Sequence, residues 1–227
     1  MPNKSPITMF GGTAVHTGML KYTPSLLSGS GVSKFEGGVL TSDYMVYSFY
    51  KIHADTSNFE LGRKSFETID FYSENVKSDI DFKNRKGDFV SNTGASLTKF
   101  DLVKYQAFLD RFTWFMDLEE IEISSAGQTV DQGASQMKVE GAEFVSIHPG
   151  QDSLRFNTKT ARYSLAEIKL QALDVPFVNV ADAEIIPNNG LIVIHENAKM
   201  DRLDSSIIVA NREFKYHKIY DASTQIF

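Results

Sequence analysis

The chain has no cysteine among its 227 residues. That excludes a disulfide framework, thiol catalysis and cysteine-ligated zinc or iron–sulfur centres. Long apolar runs are missing too. Nothing reaches the ~18 uninterrupted apolar residues that a membrane-spanning helix needs. The densest apolar stretch, YQAFLDRFTWFMDLEEIEIS at 105–124, is broken by Asp110, Arg111 and Asp117. The first residues offer no apolar run suited to a cleaved signal peptide. The expected location is therefore the cytoplasm during assembly, or a virion. Positive charge is scarce, with 23 Lys and Arg against 29 Asp and Glu, a net −6. A protein that neutralises many phosphates needs a dense basic face, so strong nucleic-acid binding is not expected. The one basic cluster, KNRKG at 83–87, reads as a solvated turn.

Aromatics are plentiful, with 17 Phe and 9 Tyr, which favours strands and broad packing surfaces. Glycine is concentrated at the start. Gly11, Gly12, Gly18, Gly29, Gly31, Gly37 and Gly38 all lie in the first 42 residues, together with Pro2, Pro6 and Pro24. Such density disfavours long regular elements. Residues 1–42 are expected to be an extended arm with short apolar anchors, Phe10, Met19, Leu20 and Tyr22.

From residue 43 to 227 the pattern is that of a single β-rich domain. DYMVYSFYKI reads as a strand buried on both faces, and SFETIDFY, SDIDF and DFVS as further strands. EFVSIH, the turn PGQD and SLRFN predict a hairpin. AEIKLQALDV alternates with period two, as a half-wet strand does. AEIIPNNGLIVIHE, with its turn at Pro187 to Gly190, gives the strongest hairpin signal in the chain. SSIIVA and REFKYHKIYD close the fold. A polar segment near 125–141 reads as an internal loop or sub-boundary.

One stretch has helical spacing. Tyr105, Phe108, Leu109, Phe112, Phe115 and Met116 recur at steps of three and four, after a weak Thr98–Asp101 capping pattern. An amphipathic helix over about 98–119, about 30 Å long, is expected, followed by a strand at 120–124. The fold expected is mainly β, an antiparallel β-sandwich or jelly-roll-like domain with that one helix.

No motif carries a specific chemistry. GSGVSK at 29–34 lacks the glycine before, and the hydroxyl residue after, the lysine of a phosphate loop. His16, His53, His148, His195 and His217 show no metal-ligand spacing, although His148, His195 and Glu196 lie where strand ends could gather them. Asp117, Glu119, Glu120 and Glu122 could supply paired carboxylates, but read better as a solvated element end. The acceptor pattern at Asn3 is followed by Pro6 and carries no weight. No catalytic residue, metal ligand or cofactor is expected. The expected function is a structural, self-assembling virion component, a capsid, tail or spike block, with copies of itself and other assembly proteins as partners. Trp114 joins the four anchors as a candidate interface residue. The alternatives are a carbohydrate- or ligand-binding sandwich and a β-fold hydrolase using carboxylates.

Overall fold

The computed structural model describes residues 5–63, 69–125, 140–151, 154–210 and 217–226. Among these the chain forms twenty β-strands and three single-turn 3-10 segments. The first six strands are β1 (Ile7–Met9), β2 (Ala14–Thr23), β3 (Leu26–Phe35), β4 (Gly38–Ser48), β5 (Lys51–Gly62) and β6 (Ile69–Asp81). Then follow β7 (Lys86–Ser91), β8 (Ser96–Phe100), β9 (Tyr105–Leu109), β10 (Arg111–Phe115), β11 (Glu120–Ser124), β12 (Ala142–Ser146) and β13 (Arg155–Thr158). The last are β14 (Thr160–Ser164), β15 (Lys169–Leu173), β16 (Val178–Val180), β17 (Ala183–Ile186), β18 (Ile192–Ile194), β19 (Leu203–Ala210) and β20 (His217–Thr224).

Every pairing is antiparallel. β1 to β6 form a meander. β6 is then shared. Its residues 76–81 pair with β7, and a first arm continues through β10, β11, β14, β15 and β18. Its residues 71–73 pair with β8, and a second arm continues through β9, β12, β13, β16, β17, β19 and β20. The chain lays a hairpin in one arm, then a hairpin in the other. Irregular pairing at residues 54–59 of β5, and Asn75 at φ 52° in β6, interrupt the ladder where the arms diverge. Bulges bend strands in this way.

Alternation decides which face is buried. Across the first arm, Ile80, Gly87, Trp114, Ile121, Tyr163 and Leu170 form one cross-strand row, all but Gly87 being core side chains. The neighbouring row is Asp79, Asp88, Thr113, Glu122, Arg162 and Gln171, and faces water. The second arm carries its own buried row, Ala107, Phe144, Phe156, Val178 and Ile185. Rings join the arms: Phe100 lies 5.2 Å from Tyr163, edge to face, and Phe71 lies 5.0 Å from Phe112. The meander curls in as well, so that Phe35 meets Trp114 at 6.1 Å and Phe82 at 5.2 Å.

Several expectations are corrected. Residues 98–119 form no helix; they hold the end of β8, all of β9 and β10, and the turns around them. The three-and-four spacing has a simple cause. Tyr105, Ala107 and Leu109 point inward from β9, and Phe112, Trp114 and Met116 from β10 and its end. The chain changes arm at Asp110, and this break in phase between two period-two strands imitates a helical stripe. Thr98, expected to cap the helix, is instead buried against Ser73 Oγ at 3.0 Å.

The runs flanking Pro187–Gly190 do not pair with each other. β17 pairs with β16 and β19, and β18 with β15, so this turn links the two arms. DYMVYSFYKI is two strands joined at Phe49 and Tyr50. The mainly β, antiparallel character is as expected, and strands return beside the one three earlier in the chain, β10 beside β7, β12 beside β9 and β14 beside β11. Residues 7–48 form β1 to β4, paired continuously into the sheet, and position 42 lies inside β4. The β12–β13 hairpin is as expected, with Phe144 opposite Phe156. Most of the polar segment, 126–139, the start of SFETIDFY, 65–68, and the start of REFKYHKIYD, 212–216, lie outside the described residues. Among the described residues no helix is long and apolar enough to cross a membrane.

Candidate functional site

Two buried polar groups stand out from the apolar interior. The first lies where β5 and β6 meet the first arm. Asp70, fully buried, has its Oδ2 3.4 Å from Arg63 Nε, too long for a strong ionic hydrogen bond. Among the described residues neither Asp70 oxygen accepts a formed hydrogen bond, and the buried Tyr163 hydroxyl also lacks a partner. Burial raises the Asp70 pKa above its ordinary value, and Arg63 opposes the shift. Asp101 and Glu196 push it up further. Burial raises the Tyr163 phenol as well. For either group to do chemistry, a substrate must reach it. The neighbouring cleft, between Leu61, Arg63, Trp114, Met116 and Leu165, leaves about 10 Å³ for the centre of a water molecule. That is room for one water.

The second group sits under the β2–β3 hairpin. His16 Nδ1 is 3.1 Å from Ser33 Oγ and 2.9 Å from Tyr47 Oη, and those two oxygens are 3.1 Å apart. All three side chains are buried. Burial lowers the His16 pKa, and the Met19 and Ser30 backbones partly offset it. A serine next to a histidine suggests a nucleophile, yet His16 and Ser33 are almost wholly buried. The triangle holds strands 2, 3 and 4 in register.

At the surface, His53 bridges Asp79 (2.6 Å) and Asp55 (3.2 Å). The Asp79 hydrogen bond is the main reason its pKa is raised; burial opposes it and Asp55 adds to it. His195 bonds Asp201 at 2.9 Å, while His148 Nδ1 accepts from the Gly150 amide. Gln151 ties their two segments together by donating to the Ala198 carbonyl at 2.8 Å. His148 and His195 nevertheless face different partners. Among the described residues no group of three or more His, Asp or Glu is placed to hold a metal ion.

Two of the acidic residues in and after the apolar stretch, Asp117 and Glu122, are held in ion pairs. Asp117 accepts from Arg85 Nε at 2.9 Å, and Arg85 clasps Glu36 with its other nitrogens. Three turns are thereby tied together. Glu122 lies 3.7 Å from Arg162 across the strand pair.

The expected interface residues divide. Trp114 is 1% exposed and belongs to the core. Phe10 is half-buried, 4.9 Å from Phe82, and Leu20 leans over Gly29 towards Tyr47. Met19 is 71% and Tyr22 80% exposed. Sequence reasoning missed Phe49, 84% exposed at a turn tip with its ring 4.7 Å from that of Tyr50. The missing signal is a glycine or asparagine: Tyr50 itself takes the left-handed conformation, φ 58°. Nor could local pattern find Asp70 with Tyr163, or His16 with Tyr47, since the partners lie far apart in the chain. No protein-family model, no curated protein and no solved structure matches this chain.

Proposed function

We propose that this chain is a structural, self-assembling protein of the kind that builds a virion, as a capsid, tail or spike block. In this reading the two arms form a β-sandwich that serves as a rigid body, and its partners are other copies and other assembly proteins. One observation carries it: large apolar side chains, Met19 and Tyr22 on β2 and Phe49 at the β4–β5 turn, stand well exposed, and exposed apolar surface of this kind marks interaction sites. Light scattering coupled to size exclusion, with negative-stain microscopy, tests the reading. A regular oligomer or particle is expected. A strict monomer at all accessible concentrations removes the proposal.

The Phe49–Tyr50 tip favours a second reading, a carbohydrate-binding module in which exposed rings stack on sugars. A glycan array tests it, and silence across plant, bacterial and animal sugars retires it.

A further inference from the structure

We propose that the free edge of β2 is a self-complementary docking strand, and that a second copy of this chain pairs with it antiparallel about a two-fold axis at Leu20. This deepens the assembly reading and rests on it. β1 covers only the first part of β2, with Ile7 opposite His16 and Met9 opposite Ala14. The register would next bring Pro6 opposite Thr17, and proline has no N–H to donate. Among the described residues nothing pairs with positions 17–23 on that side. Seven residues of backbone are left as a template, the usual risk of an open edge.

The other edges differ. β18 has three residues. β20 is interrupted by a register shift and by Asp221 at φ 53°, a bulge that blunts an edge. The free part of β2 shows no such defect in its pairing with β3.

The free stretch is centred on Leu20, so full overlap of two copies fixes the register. Leu20 then faces Leu20 of the second copy. Met19 faces Lys21, so the lysine stem lies along the thioether and no like charges meet. Thr17 faces Thr23, a favourable cross-strand pair. Tyr22 faces Gly18, and its exposed ring gains a bare backbone to cover. Glycine is required at 18 by the fold itself: a Cβ there would stand 2.0 Å from the Ser30 carbonyl oxygen. Shifting the axis to Lys21 sets two lysines directly opposite, which destabilises a pair. Shifting it to Met19 sets Tyr22 against His16, whose edge β1 already fills. The contact is isologous, as most dimer interfaces are, and works by strand addition.

The absence of cysteine makes cross-linking a clean test. Under mild oxidation the Leu20→Cys variant is expected to give a covalent dimer. Met19→Cys mixed with Lys21→Cys is expected to cross-link, while each alone does not. Tyr22→Lys in the otherwise unchanged chain is expected to weaken self-association by about tenfold or more, as loss of a central interface aromatic does. Wild-type chain that assembles, with no cross-link at 20 and no response to Tyr22→Lys, overturns the β2 interface and leaves the assembly reading standing. Wild-type chain that remains monomeric overturns both.

Discussion

Phe108 and Phe112 look equivalent in the sequence, one apolar stripe apart, and the strands separate them. Phe112 is buried, stacked on Phe89 at 4.5 Å, whereas Phe108 is 44% exposed on the opposite face of its strand. Phe112→Ala is expected to cost about 3–5 kcal/mol, the range for a buried phenylalanine. Phe108→Ala is expected to cost well under that, about 1 kcal/mol or less. Urea unfolding of the two variants checks this, and equal losses would contradict the strand assignment. Two histidines give opposite pH slopes. His16 is held neutral by burial, so the unfolded chain takes up its proton first; the stability it protects is present above the ordinary pKa of 6.5 and declines as pH falls below it. His53 has a raised pKa, so its contribution is complete below 6.5 and is lost as pH rises through the higher folded value. Thermal unfolding of His16→Gln and His53→Gln across pH 5 to 8 separates them: the first variant flattens the acid side, the second the alkaline side.

The elements show why the sequence was only partly legible. Strands with clean alternation, such as β11, β13 and β15, could be read directly, because one face is wet and the other dry. Turns were harder. Glu36, Tyr50, Arg85, Lys104, Glu119 and Ile168 all adopt positive φ at or beside turns, a conformation that glycine and asparagine usually announce. Hairpin ends were therefore invisible, and two strands with a phase break passed for a helix. The buried polar groups were not legible at all, because strand pairing and the facing of the arms create them. Lys104 follows from the same geometry. Its left-handed backbone costs roughly 1–2 kcal/mol for a residue with a Cβ, so Lys104→Gly is expected to be neutral or to stabilise by up to about 1 kcal/mol. Loss of stability in thermal unfolding would contradict this. The β6–β7 turn is built differently. Asp81 accepts the Lys83 and Asn84 amides at 3.0 and 2.9 Å. The Asn84 amide, followed by Lys51 and the Asn84 side chain, brings the Asp81 pKa down to about 2. Its stabilisation is present above the ordinary 3.8 and lost as pH falls towards 2. Asp81→Ala is expected to cost about 1.5–3 kcal/mol, the worth of hydrogen bonds to a charged group, with the deficit shrinking in acid.

For the whole molecule, the shared strand decides how stability is distributed. Because β6 belongs to both arms, and Phe71 and Phe100 reach across to Phe112 and Tyr163, neither arm is a separate unit. Unfolding is expected as one transition, with amides of Trp114 and Phe144 exchanging at similar slow rates. Hydrogen exchange that protects one arm while the other opens would divide the molecule in two.

The alternating hairpins also impose an order on construction. Each hairpin after β6 has one strand paired with a strand that precedes it in the chain and is already in place. A chain emerging from its N-terminus thus meets a finished ledge at every step. Pairing is local in time even where it is distant in sequence, which spares the slow search that a sheet with many non-local pairings otherwise faces.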